Sequence, residues 1–416
     1  MENMEKTIEK LNKYGQEHII KIMEKFTEEE KEKIADQIEK MDFENLTNLY
    51  KELTREEINI GKKIEPISAL KKNKLSLEQL EEINDLGKNI IISGQFAVAT
   101  MSGGQGTRLG YSKPKGTFKI DVEPKPKYLF EIVCDTLKRA NKKYDVIIPW
   151  YIMTSEENND EIIAFFEENN YFDYPKKDVK FFKQGQMPLI NEQGKLLIGE
   201  NKMIKEASDG NGGIFKSMEV SGCLADMEKR GVKWLFIGSI DNVLLKMADP
   251  TLIGLAEEKN VEIATKSVLK NGPKERVGVI CKKDGKVGVI EYSELPTKLA
   301  EAVDEDGDLI YGESHIMCNL FSMNILKQLA KVTLPYHKAH KKNSFLNEEC
   351  ELVVPEEPNS YKFETFIFDS FNYVNDIAIL RGTREADFAP VKNKEGVDSP
   401  ETARNLYNEY WKNNEE

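Results

Sequence analysis

The stretch that decides the fold is FAVATMSGGQGTRLGYSKPKGTF, residues 96–118. It begins as a short apolar run, Phe96–Met101, and then changes abruptly to glycines with interleaved cations. This change is typical of a buried strand that ends in an anion-binding loop, because glycines let backbone N–H groups approach phosphate oxygens. The positive charge that phosphoryl chemistry needs would come from Arg108, Lys113 and Lys115. The stretch therefore predicts chemistry on a nucleoside triphosphate.

The spacing of this loop excludes two common phosphate-binding motifs. A Walker A loop needs Gly-Lys-Ser/Thr, which does not occur in the chain. The dinucleotide fingerprint G-x-G-x-x-G is also absent, because Gly104, Gly106 and Gly110 follow the wider spacing G-x-G-x-x-x-G. An ordinary glycine-rich turn is the alternative, but such turns rarely carry three cations within a dozen residues. The loop is therefore of a third kind.

Composition limits the classes of protein that the chain can belong to. Its 416 residues, 40% hydrophobic and 31% charged, are enough for one large catalytic domain with smaller flanking segments. The net charge of −13 argues against general nucleic-acid binding, which usually requires a basic face. An anionic ligand must then be held by local cations.

Cysteines and the first residues indicate the compartment. The five cysteines are scattered and never spaced as C-x-x-C, so neither a zinc site nor a disulfide framework is expected. The chain begins with the acidic sequence MENMEKTIEK, and it contains no run of about 18 apolar residues. We therefore expect a cytoplasmic protein with reduced thiols and no membrane partner.

Residues 1–92 are expected to form a helical N-terminal segment. Capping boxes at Thr27–Glu30 and Ser76–Gln79 each precede apolar residues at helical spacing, and Gly87 is expected to end the second of these helices. The many Glu and Lys residues indicate solvated helix faces. A partner-binding helical arm stays open as the alternative.

Residues 93–385 alternate short apolar runs with amphipathic stretches. The expected strands are Phe96–Met101, Val146–Met153, Trp234–Ile240 and Val261–Val268. The expected helices are Leu129–Ala140, Glu156–Asn169 and Phe215–Arg230. Three later strands are expected around two Asp-Gly turns, at Val277–Lys282, Lys286–Tyr292 and Leu309–Tyr311.

This alternation predicts an α/β catalytic domain, Rossmann-like, with a mixed and mostly parallel central sheet. Residues 386–416 form a short C-terminal segment with one helix from Ser399 to about Asn413. Ligands of such sheets bind outside the carboxyl ends of the strands, which is where the loop after Met101 lies.

Asp241 is the candidate metal ligand, because it follows the apolar strand Trp234–Ile240 directly. A divalent ion that bridges phosphate oxygens needs a rigidly held carboxylate, and the end of a strand supplies one. An Asx turn that caps the strand is the alternative for Asp241-Asn242. The phosphate loop earlier in the chain favours the metal site.

Three further features are weaker candidates. Asp209–Gly213, with the sequence DGNGG, leaves bare backbone suited to a base or a sugar, although such a stretch is more often a turn. Glu291 could accept sugar hydroxyls, but a glutamate at a strand end is common. Lys392 follows a proline turn as an isolated cation and could contact a phosphate. The four histidines show no metal-ligand spacing and are read as structural or solvent-facing.

Taken together, the motifs resemble the eukaryotic-type UDP-sugar pyrophosphorylase family, and within it the UDP-N-acetylglucosamine pyrophosphorylase group. The matching stretches occur in the family's order and cover roughly residues 93–405. They are SGGQGTRLG with PKG, WYIMTS, FFKQGQMP, DGNGG, DNVLLKMADP, ERVGVI with VIEYSEL, KFETFIFD, and READFAPVKN with DSPETAR.

The resemblance implies that a sugar 1-phosphate attacks the α-phosphorus of UTP, that Mg²⁺ bridges the phosphates, and that pyrophosphate leaves. No general base is needed, because the attacking phosphate is already ionised, so positioning and charge stabilisation perform the catalysis. The contacts that the resemblance implies with the triphosphate are those of Gly103, Gly104, Arg108 and Lys115, and those with the uracil edge are of Gln184 and Gly210. Asp241 would bind the metal, with Asp209 as a nearby acid. The sugar would be contacted by Asn211, Gly278 and Glu291, and the sugar-side phosphate by Lys362 and Lys392.

The chain departs from the family pattern in two places. The family usually has Gly-Asn-Ile beside the sugar and then Asn-His-Phe, whereas this chain has Ser314-His315-Ile316 and then Cys318-Asn319-Leu320. His315 thus stands where the resemblance implies a sugar-contacting Asn. Many relatives also continue into a longer C-terminal segment associated with oligomer contacts, so we expect a monomer.

Several functions stay open from the sequence. UDP-N-acetylglucosamine formation leads, since Gly278 leaves room for an acetamido group; the nearest alternative is UDP-glucose or UDP-galactose formation. A catalytically silent sugar-nucleotide-binding protein is disfavoured, because it would not need Arg108, Lys115, Asp241 and Lys392 together. A glycosyltransferase is also disfavoured, because D-x-D occurs only within the acidic turn Asp304–Asp308.

Overall fold

The computed structural model describes residues 2–55 and 63–414. The α-helices are α1 (Glu2–Lys13), α2 (Glu17–Met23), α3 (Glu28–Lys40), α4 (Phe43–Thr54), α5 (Leu77–Ile92), α6 (Leu129–Tyr144), α7 (Asn159–Glu168), α8 (Ile214–Val220), α9 (Cys223–Lys229), α10 (Pro250–Glu258), α11 (Thr297–Ala300), α12 (Met323–Leu329), α13 (Arg384–Asp387) and α14 (Pro400–Asn413). Short 3₁₀ helices lie at Lys72–Lys74, Thr107–Leu109, Lys115–Thr117, Asn170–Asp173, Lys176–Asp178, Asn211–Gly213 and Ile367–Tyr373.

The strands are short at both ends of the chain and longest in its middle. They are β1 (Ile64–Glu65), β2 (Leu70–Lys71), β3 (Phe96–Met101), β4 (Lys119–Ile120), β5 (Lys127–Tyr128), β6 (Trp150–Thr154), β7 (Val179–Lys183), β8 (Gln186–Pro188), β9 (Ile190–Asn191), β10 (Glu206–Ser208), β11 (Trp234–Ser239), β12 (Ile263–Leu269), β13 (Val279–Lys283), β14 (Lys286–Ile290), β15 (Glu313–Ser322), β16 (Tyr336–Lys341), β17 (Phe345–Leu346), β18 (Leu352–Val353), β19 (Ser360–Thr365) and β20 (Ala378–Arg381).

The chain forms two compact units, and each contains separate stretches of sequence. The N-terminal unit combines the described part of the first 61 residues with Gly185–Gly213 and Leu334–Phe366. The sheet unit contains the other described residues, from 63 onward. The domain boundaries expected at residues 92 and 385 do not coincide with these limits, so that division stays a prediction.

The N-terminal unit packs α1–α4 with three small sheets, which pair β8 with β10, β17 with β18, and β19 with both β9 and β16. The capping box of α3 is confirmed, because the backbone N of Glu30 lies 3.3 Å from Thr27 Oγ1 and the backbone N of Thr27 lies 2.8 Å from the Glu30 carboxylate. Ile34 and Ile38, one turn apart, are fully buried in the core of this unit. The helical character expected of the N-terminus is therefore confirmed.

The sheet unit is built on a large mixed sheet with strand order β2-β20-β12-β15-β11-β3-β6-β7, to which β13, β14 and β1 are attached beside β15. Along this order neighbouring strands are parallel, except that β15 is antiparallel to both β11 and β12. The predicted mixed, mostly parallel sheet is thus confirmed. Met101 lies opposite both Met153 and Ser239, so β3, β6 and β11 end at the same edge.

Several predicted element limits were wrong for identifiable reasons. The predicted helix Phe215–Arg230 is two helices, α8 and α9, because Gly222 adopts the left-handed conformation with φ of 73°. Strand β6 begins at Trp150 rather than Val146, and the N–H of Ile148 donates to the Asn141 side chain instead of a neighbouring strand. The predicted strand Leu309–Tyr311 is reduced to a single bridge.

Gly87 does not end a helix, contrary to the prediction. Helix α5 continues to Ile92, and a Cβ atom at Gly87 would lie 1.9 Å from the carbonyl oxygen of Pro250 at the start of α10. A Cβ atom at Gly254 in α10 would likewise lie 1.7 Å from the carbonyl oxygen of Ile83. The two glycines therefore allow the backbones of α5 and α10 to pack in direct contact.

The C-terminal helix α14 begins after Ser399, whose Oγ accepts from the backbone N of Thr402, as the sequence predicts. Its residues Ala403 and Tyr407 are buried in the core of the sheet unit. Within the described ranges, no helix has both the length and the apolar composition needed to cross a membrane.

Candidate active site

The loop after β3 is fixed at its base by the end of β6. Both the backbone N and the Oγ of Ser102 donate to the carbonyl of Met153, at 2.9 and 2.8 Å. The carbonyl of Gly103 accepts from Asn158 Nδ2 at 3.0 Å, and the carbonyl of Gly104 accepts from the backbone N of Lys115 at 3.1 Å. The loop is thus held before any ligand arrives.

The loop glycines allow other groups to approach the backbone closely, and only some of them adopt unusual backbone angles. Gly110 has a positive φ of 69°, as the sequence argument expects, but Gly106 has a φ of −80°. A Cβ atom at Gly103 would lie 2.9 Å from Gln184 Oε1, whereas one at Gly104 would meet no described heavy atom within 4 Å. The backbone at Gly104 therefore faces open space in which a phosphate could approach.

Asp241 and Lys115 meet at this edge of the sheet. Lys115 Nζ lies 3.4 Å from Asp241 Oδ2, and the two side chains are 16% and 18% exposed. Burial alone would raise the pKa of Asp241, but the positive charges of Lys115 and Lys392 outweigh it and lower that pKa below its ordinary value. The carboxylate is therefore ionised and suited to a hard cation.

Asn242 ties the segment before Lys392 to this site. Its Oδ1 accepts from the backbone N of Ala389 at 2.9 Å, and its Nδ2 donates to the carbonyl of Asp387 at 2.7 Å. The backbone N of Val391 donates to the carbonyl of Asp241 at 2.8 Å. These bonds bring Lys392, from far along the chain, close to Asp241. We define Lys115, Asp241 and Lys392 as the charged cluster.

Lys392 and Arg108 differ in how they are held. Lys392 Nζ lies 3.8 Å from Asp398 Oδ2 and 5.3 Å from the ring centre of Phe388, and its backbone N donates to the carbonyl of Asp398. Arg108 is exposed on the loop and makes no ion pair with any residue that the structure describes. Arg108 is therefore available to an incoming anion, whereas Lys392 would have to exchange partners.

A buried ion-pair network supports the charged cluster from behind. Lys266 Nζ lies 2.5 Å from Asp249 and 3.0 Å from Asp387. Burial opposes the charge on Lys266, but the two carboxylates outweigh it and raise its pKa, while Lys266 lowers the pKa of both acids. Because Asp387 also binds Asn242, this network anchors the segment that carries Lys392.

Asn158 and Asn242 were missed as supporting residues by the sequence argument. The Asn158 side chain is fully buried and bonds both Gly103 and the backbone N of Ser155. The available signal was an asparagine within a few residues of a strand end, where its amide can bond the local backbone. Asn242 gave the same signal but was attributed only to a turn.

Three predicted sugar-side residues lie together at the β13–β15 side of the sheet unit. The backbone N of His315 donates to the carbonyl of Gly278 at 3.0 Å. A Cβ atom at Gly278 would lie 3.5 Å from Glu291 Oε1 and 2.7 Å from Val289 Cγ1. Packing against Val289 thus gives Gly278 a reason to be glycine that is independent of any sugar.

His315 lies at an irregular point of β15. The pairing of β12 with β15 shifts register between Thr265 and Ser267, and Met317 has a φ of 56°. His315 Nε2 lies 2.9 Å from Asn319 Oδ1, and burial lowers the pKa of His315 to about 4. The imidazole is therefore neutral near pH 7. The contact here joins an imidazole at position 315 to an amide at position 319, whereas the family pattern has an asparagine at the first position and a histidine at the second.

The other predicted site residues divide between the units. Gln184 lies in the sheet unit beside Gly103. Gly210, Asn211 and Lys362 lie in the N-terminal unit. Gly210 has a φ of 87°, and a Cβ atom there would lie 2.2 Å from the carbonyl oxygen of Thr365.

Lys362 is partnered within the N-terminal unit, with its Nζ 2.7 Å from Glu364 Oε1 and 3.3 Å from Ser208 Oγ. Asp209, the expected acid near the metal, lies in the same unit, where a Cβ atom at Gly213 would come within 2.3 Å of its carboxylate. The sequence alone gave no indication that these residues belong to a separate compact unit.

A complete protein-only metal site is not present in the described part of the chain, because no three His, Cys, Asp or Glu side chains converge there. This fits an ion that takes one or two carboxylates from the protein and its other ligands from substrate phosphates, as Mg²⁺ commonly does. Asp241 is an ionised carboxylate beside the phosphate loop, and the metal role expected for it stays a prediction.

Comparison with known proteins agrees with this geometry. Residues 40–399 match the family described as UTP--glucose-1-phosphate uridylyltransferase. The chain is 40% identical over 334 residues to the UDP-N-acetylglucosamine pyrophosphorylase of Saccharomyces cerevisiae, covering 77% of this chain and 70% of that protein. It is 33% identical over 424 residues to UDP-N-acetylglucosamine diphosphorylase 2 of Arabidopsis thaliana, covering 96% of this chain and 82% of that protein.

Solved structures give the same result. The uridine diphosphate N-acetylglucosamine pyrophosphorylase of Trypanosoma brucei, in complex with an inhibitor, has a TM-score of 0.82 and 29% identity, covering 98% of this chain and 84% of that one. The match to the family extends over most of the chain and includes the phosphate loop, Asp241 and Lys392. The chain therefore belongs to the UTP--glucose-1-phosphate uridylyltransferase family.

Proposed function

We propose that this protein forms UDP-N-acetylglucosamine and pyrophosphate from UTP and N-acetylglucosamine 1-phosphate. The observation that carries the proposal is the charged cluster, in which Lys115, Asp241 and Lys392 lie beside a glycine-rich loop at the carboxyl edge of parallel strands. The names of the yeast and Arabidopsis relatives support N-acetylglucosamine 1-phosphate as the sugar substrate.

In the proposed reaction, an oxygen of the sugar 1-phosphate forms a bond to the α-phosphorus of UTP as the bond to pyrophosphate breaks. The nucleophile is already ionised, so the protein has to hold the reactants in line and neutralise the charge that develops. That charge is met by Arg108, Lys115 and Lys392. The open backbone at Gly103 and Gly104 supports a further contact with the triphosphate.

We also propose that a magnesium ion takes part, held by Asp241 and by substrate phosphates. The ionised state of Asp241 and its place beside the phosphate loop support this assignment. When bound, the ion would supply positive charge that stabilises the phosphates during transfer. The carboxylate of Asp241 would then exchange its contact with Lys115 for the ion, which frees the lysine for a phosphate.

The remaining substrate contacts are proposed for each unit separately. In the sheet unit they are Gln184 for the uracil edge and Gly278, Glu291 and His315 for the sugar. In the N-terminal unit they are Gly210 for the uracil edge, Asn211 for the sugar and Lys362 for the sugar-side phosphate. The hydrogen bond between His315 and Gly278 supports a common sugar-binding role for these residues of the sheet unit. Lys362 would have to leave its present partner, Glu364, to reach a phosphate.

A substrate panel tests the proposed function. Pyrophosphate release is measured with UTP and, in turn, N-acetylglucosamine 1-phosphate, glucose 1-phosphate and galactose 1-phosphate, with and without Mg²⁺. We expect the acetylated sugar to give the highest kcat/KM and turnover to require the divalent ion. Preference for glucose or galactose 1-phosphate would reject the sugar assignment, and absence of turnover with all three would favour a silent binding protein.

The expected monomeric state and cytoplasmic location are also proposals. All five cysteines are free thiols, which agrees with a reducing compartment. Sedimentation of the purified protein at micromolar concentration would give its mass against the 47.6 kDa of one chain. A mass that is twice this value would reject the monomer.

A further inference from the structure

A cluster of polar side chains within the sheet unit links β12 to β15. Asn319 and Thr265 are both fully buried, and Thr265 Oγ1 lies 2.9 Å from Asn319 Oδ1. The same Oδ1 lies 2.9 Å from His315 Nε2. His315 thus connects the buried side-chain amide of Asn319 to the proposed sugar-side residues Gly278 and Glu291.

The partners of His315 define where its ring hydrogen lies. With the amide oxygen of Asn319 at this position, the imidazole donates to it from Nε2, because an amide oxygen can only accept a hydrogen bond. Nδ1 then carries the lone pair and makes no hydrogen bond with any described residue. The rings of Phe368 and Phe371 each approach the imidazole edge-on, with centres 5.8 Å away, and so fix its plane. The result is a neutral, oriented hydrogen-bond acceptor.

The backbone is bent to make this contact. In a regular strand, residues four apart are separated by about 13 Å, which is too far for a hydrogen bond between their side chains. Here the register shift between Thr265 and Ser267 and the left-handed φ of 56° at Met317 shorten β15 between His315 and Asn319. A left-handed conformation is unfavourable for methionine, so the fold retains a strained residue in order to join His315 to Asn319.

Asn319 is not explained by stability alone. Its Nδ2 is buried and has no hydrogen-bond partner among the described residues. A buried donor without a partner destabilises the folded state, and an apolar side chain of similar size would avoid that loss. The residue is better explained by what it does to its one functional neighbour, His315.

We propose that Asn319 is a positioning residue for substrate specificity, which orients His315 so that Nδ1 accepts a hydrogen bond from a hydroxyl or N–H group of the sugar. The inference rests on the proposed function and deepens it, because it assigns sugar recognition to a pair of residues rather than to His315 alone. Thr265 completes the unit by holding the amide of Asn319 in place.

The first test is Asn319→Leu, which removes the hydrogen bond and keeps the size of the side chain. The KM for N-acetylglucosamine 1-phosphate is expected to rise about tenfold, as for the loss of one oriented hydrogen bond, while the KM for UTP is unchanged. The melting temperature should fall by only a few degrees, because the loss of the bonds from Thr265 and His315 is partly offset by removal of the unpartnered Nδ2. Equal rises in both KM values, or a large loss of stability with an unchanged sugar KM, would overturn the proposal.

Asn141→Leu is the matched control, because Asn141 is also buried in the sheet unit but is fully partnered. Its Oδ1 accepts from the backbone N of Ile148 and its Nδ2 donates to the hydroxyl of Tyr174, both at 3.1 Å. This variant should lower the melting temperature and leave the sugar KM unchanged. The two variants therefore separate a structural asparagine from a positioning one.

Two further measurements act independently of stability. Nitrogen-15 spectra of histidine-labelled protein should show His315 protonated at Nε2, and a mixture of both tautomers in Asn319→Leu. The signal is assigned by its loss in His315→Gln.

The exchanged double variant His315→Asn with Asn319→His keeps one amide against one imidazole. Its KM for N-acetylglucosamine 1-phosphate should lie closer to the wild-type value than that of Asn319→Leu. A wild-type spectrum protonated at Nδ1, or no recovery, would contradict the inference.

Failure of the inference and failure of the proposed function give different results. If the wild-type protein does not turn over N-acetylglucosamine 1-phosphate, the proposed function is wrong. If the wild-type protein does so and Asn319→Leu has wild-type constants for both substrates, only the role of Asn319 is wrong.

Discussion

The charged cluster and the His315–Asn319 pair both lie in the sheet unit, but they are built in opposite ways. The charged cluster places Lys115 and Lys392 around the ionised Asp241, so its strength is electrostatic. The His315–Asn319 pair is neutral, with Asn319 buried and His315 half-buried, so its effect depends on the direction of hydrogen bonds. We infer that the charged cluster determines the rate of nucleotidyl transfer and that the pair determines the choice of sugar.

The largest expected effect is that of Asp241→Ala, which tests the role of the charged cluster in the rate. Loss of the carboxylate removes the proposed metal ligand and leaves two lysines without their common partner, so kcat should fall at least about a thousandfold. The measurement is initial pyrophosphate release at saturating Mg²⁺. Asp160→Ala, at an exposed position on α7, serves as the control and should leave the rate unchanged. Wild-type turnover in Asp241→Ala would refute the metal assignment.

Lys392→Met should have the next largest effect. Its ammonium group is proposed to neutralise phosphate charge in the transition state, and the loss of one such group is expected to lower kcat about a hundredfold. The exposed Lys412→Met on α14 tests whether loss of any lysine charge has this effect. If both variants lower the rate equally, the specific role of Lys392 is wrong.

Asn242→Ala tests whether the charged cluster depends on its support. The substitution leaves the backbone groups of Asp387 and Ala389 without their buried partner, so the free energy of unfolding should fall by about 2 kcal/mol. Because the segment carrying Lys392 is then less fixed, kcat should fall by about tenfold with an unchanged preference among sugars. Urea unfolding and steady-state kinetics measure the two effects, and a changed sugar preference would contradict the comparison.

The expected effect that is smallest at neutral pH is on stability, because it appears only as the pH falls. Burial lowers the pKa of His315 from its ordinary value of 6.5 to about 4 in the folded protein. Above pH 6.5 the residue is neutral in both states, but between these values only the unfolded chain binds the proton, so this contribution to stability is lost as the pH falls.

His315→Asn should therefore show a weaker loss of stability between pH 6.5 and pH 4 than the wild-type protein in urea unfolding. The half-buried His18 also has a pKa lowered by burial and contributes equally to both proteins, so the difference between them reports His315. Parallel pH profiles for the two proteins would show that His315 titrates normally.

The charged cluster was largely predictable from the sequence, and the pair was not. Asp241 and the loop from Gly103 follow the ends of apolar strands, and parallel strands bring such ends to one edge. The contact between His315 and Asn319 depends on the irregular backbone at Met317, and methionine carries no marker for a left-handed conformation. Sequence reasoning therefore noticed the departures from the family pattern at His315 and Asn319, but not that the two side chains meet.

Long-range packing accounts for the other differences. Gly87 has the same local sequence signature whether it ends a helix or lets α5 contact α10, and the second role depends on residues more than 160 positions away. Likewise, Gly210 and Lys362 belong to a unit assembled from three stretches of chain, which a linear reading cannot recognise.

The most direct test of the central claim is the ratio of kcat/KM for N-acetylglucosamine 1-phosphate to that for glucose 1-phosphate, measured in the wild-type protein, Lys392→Met and His315→Gln. We predict that Lys392→Met lowers both values by the same factor and leaves the ratio unchanged, whereas His315→Gln changes the ratio by about tenfold. A ratio that shifts in Lys392→Met and stays constant in His315→Gln would contradict the separation of rate from sugar choice.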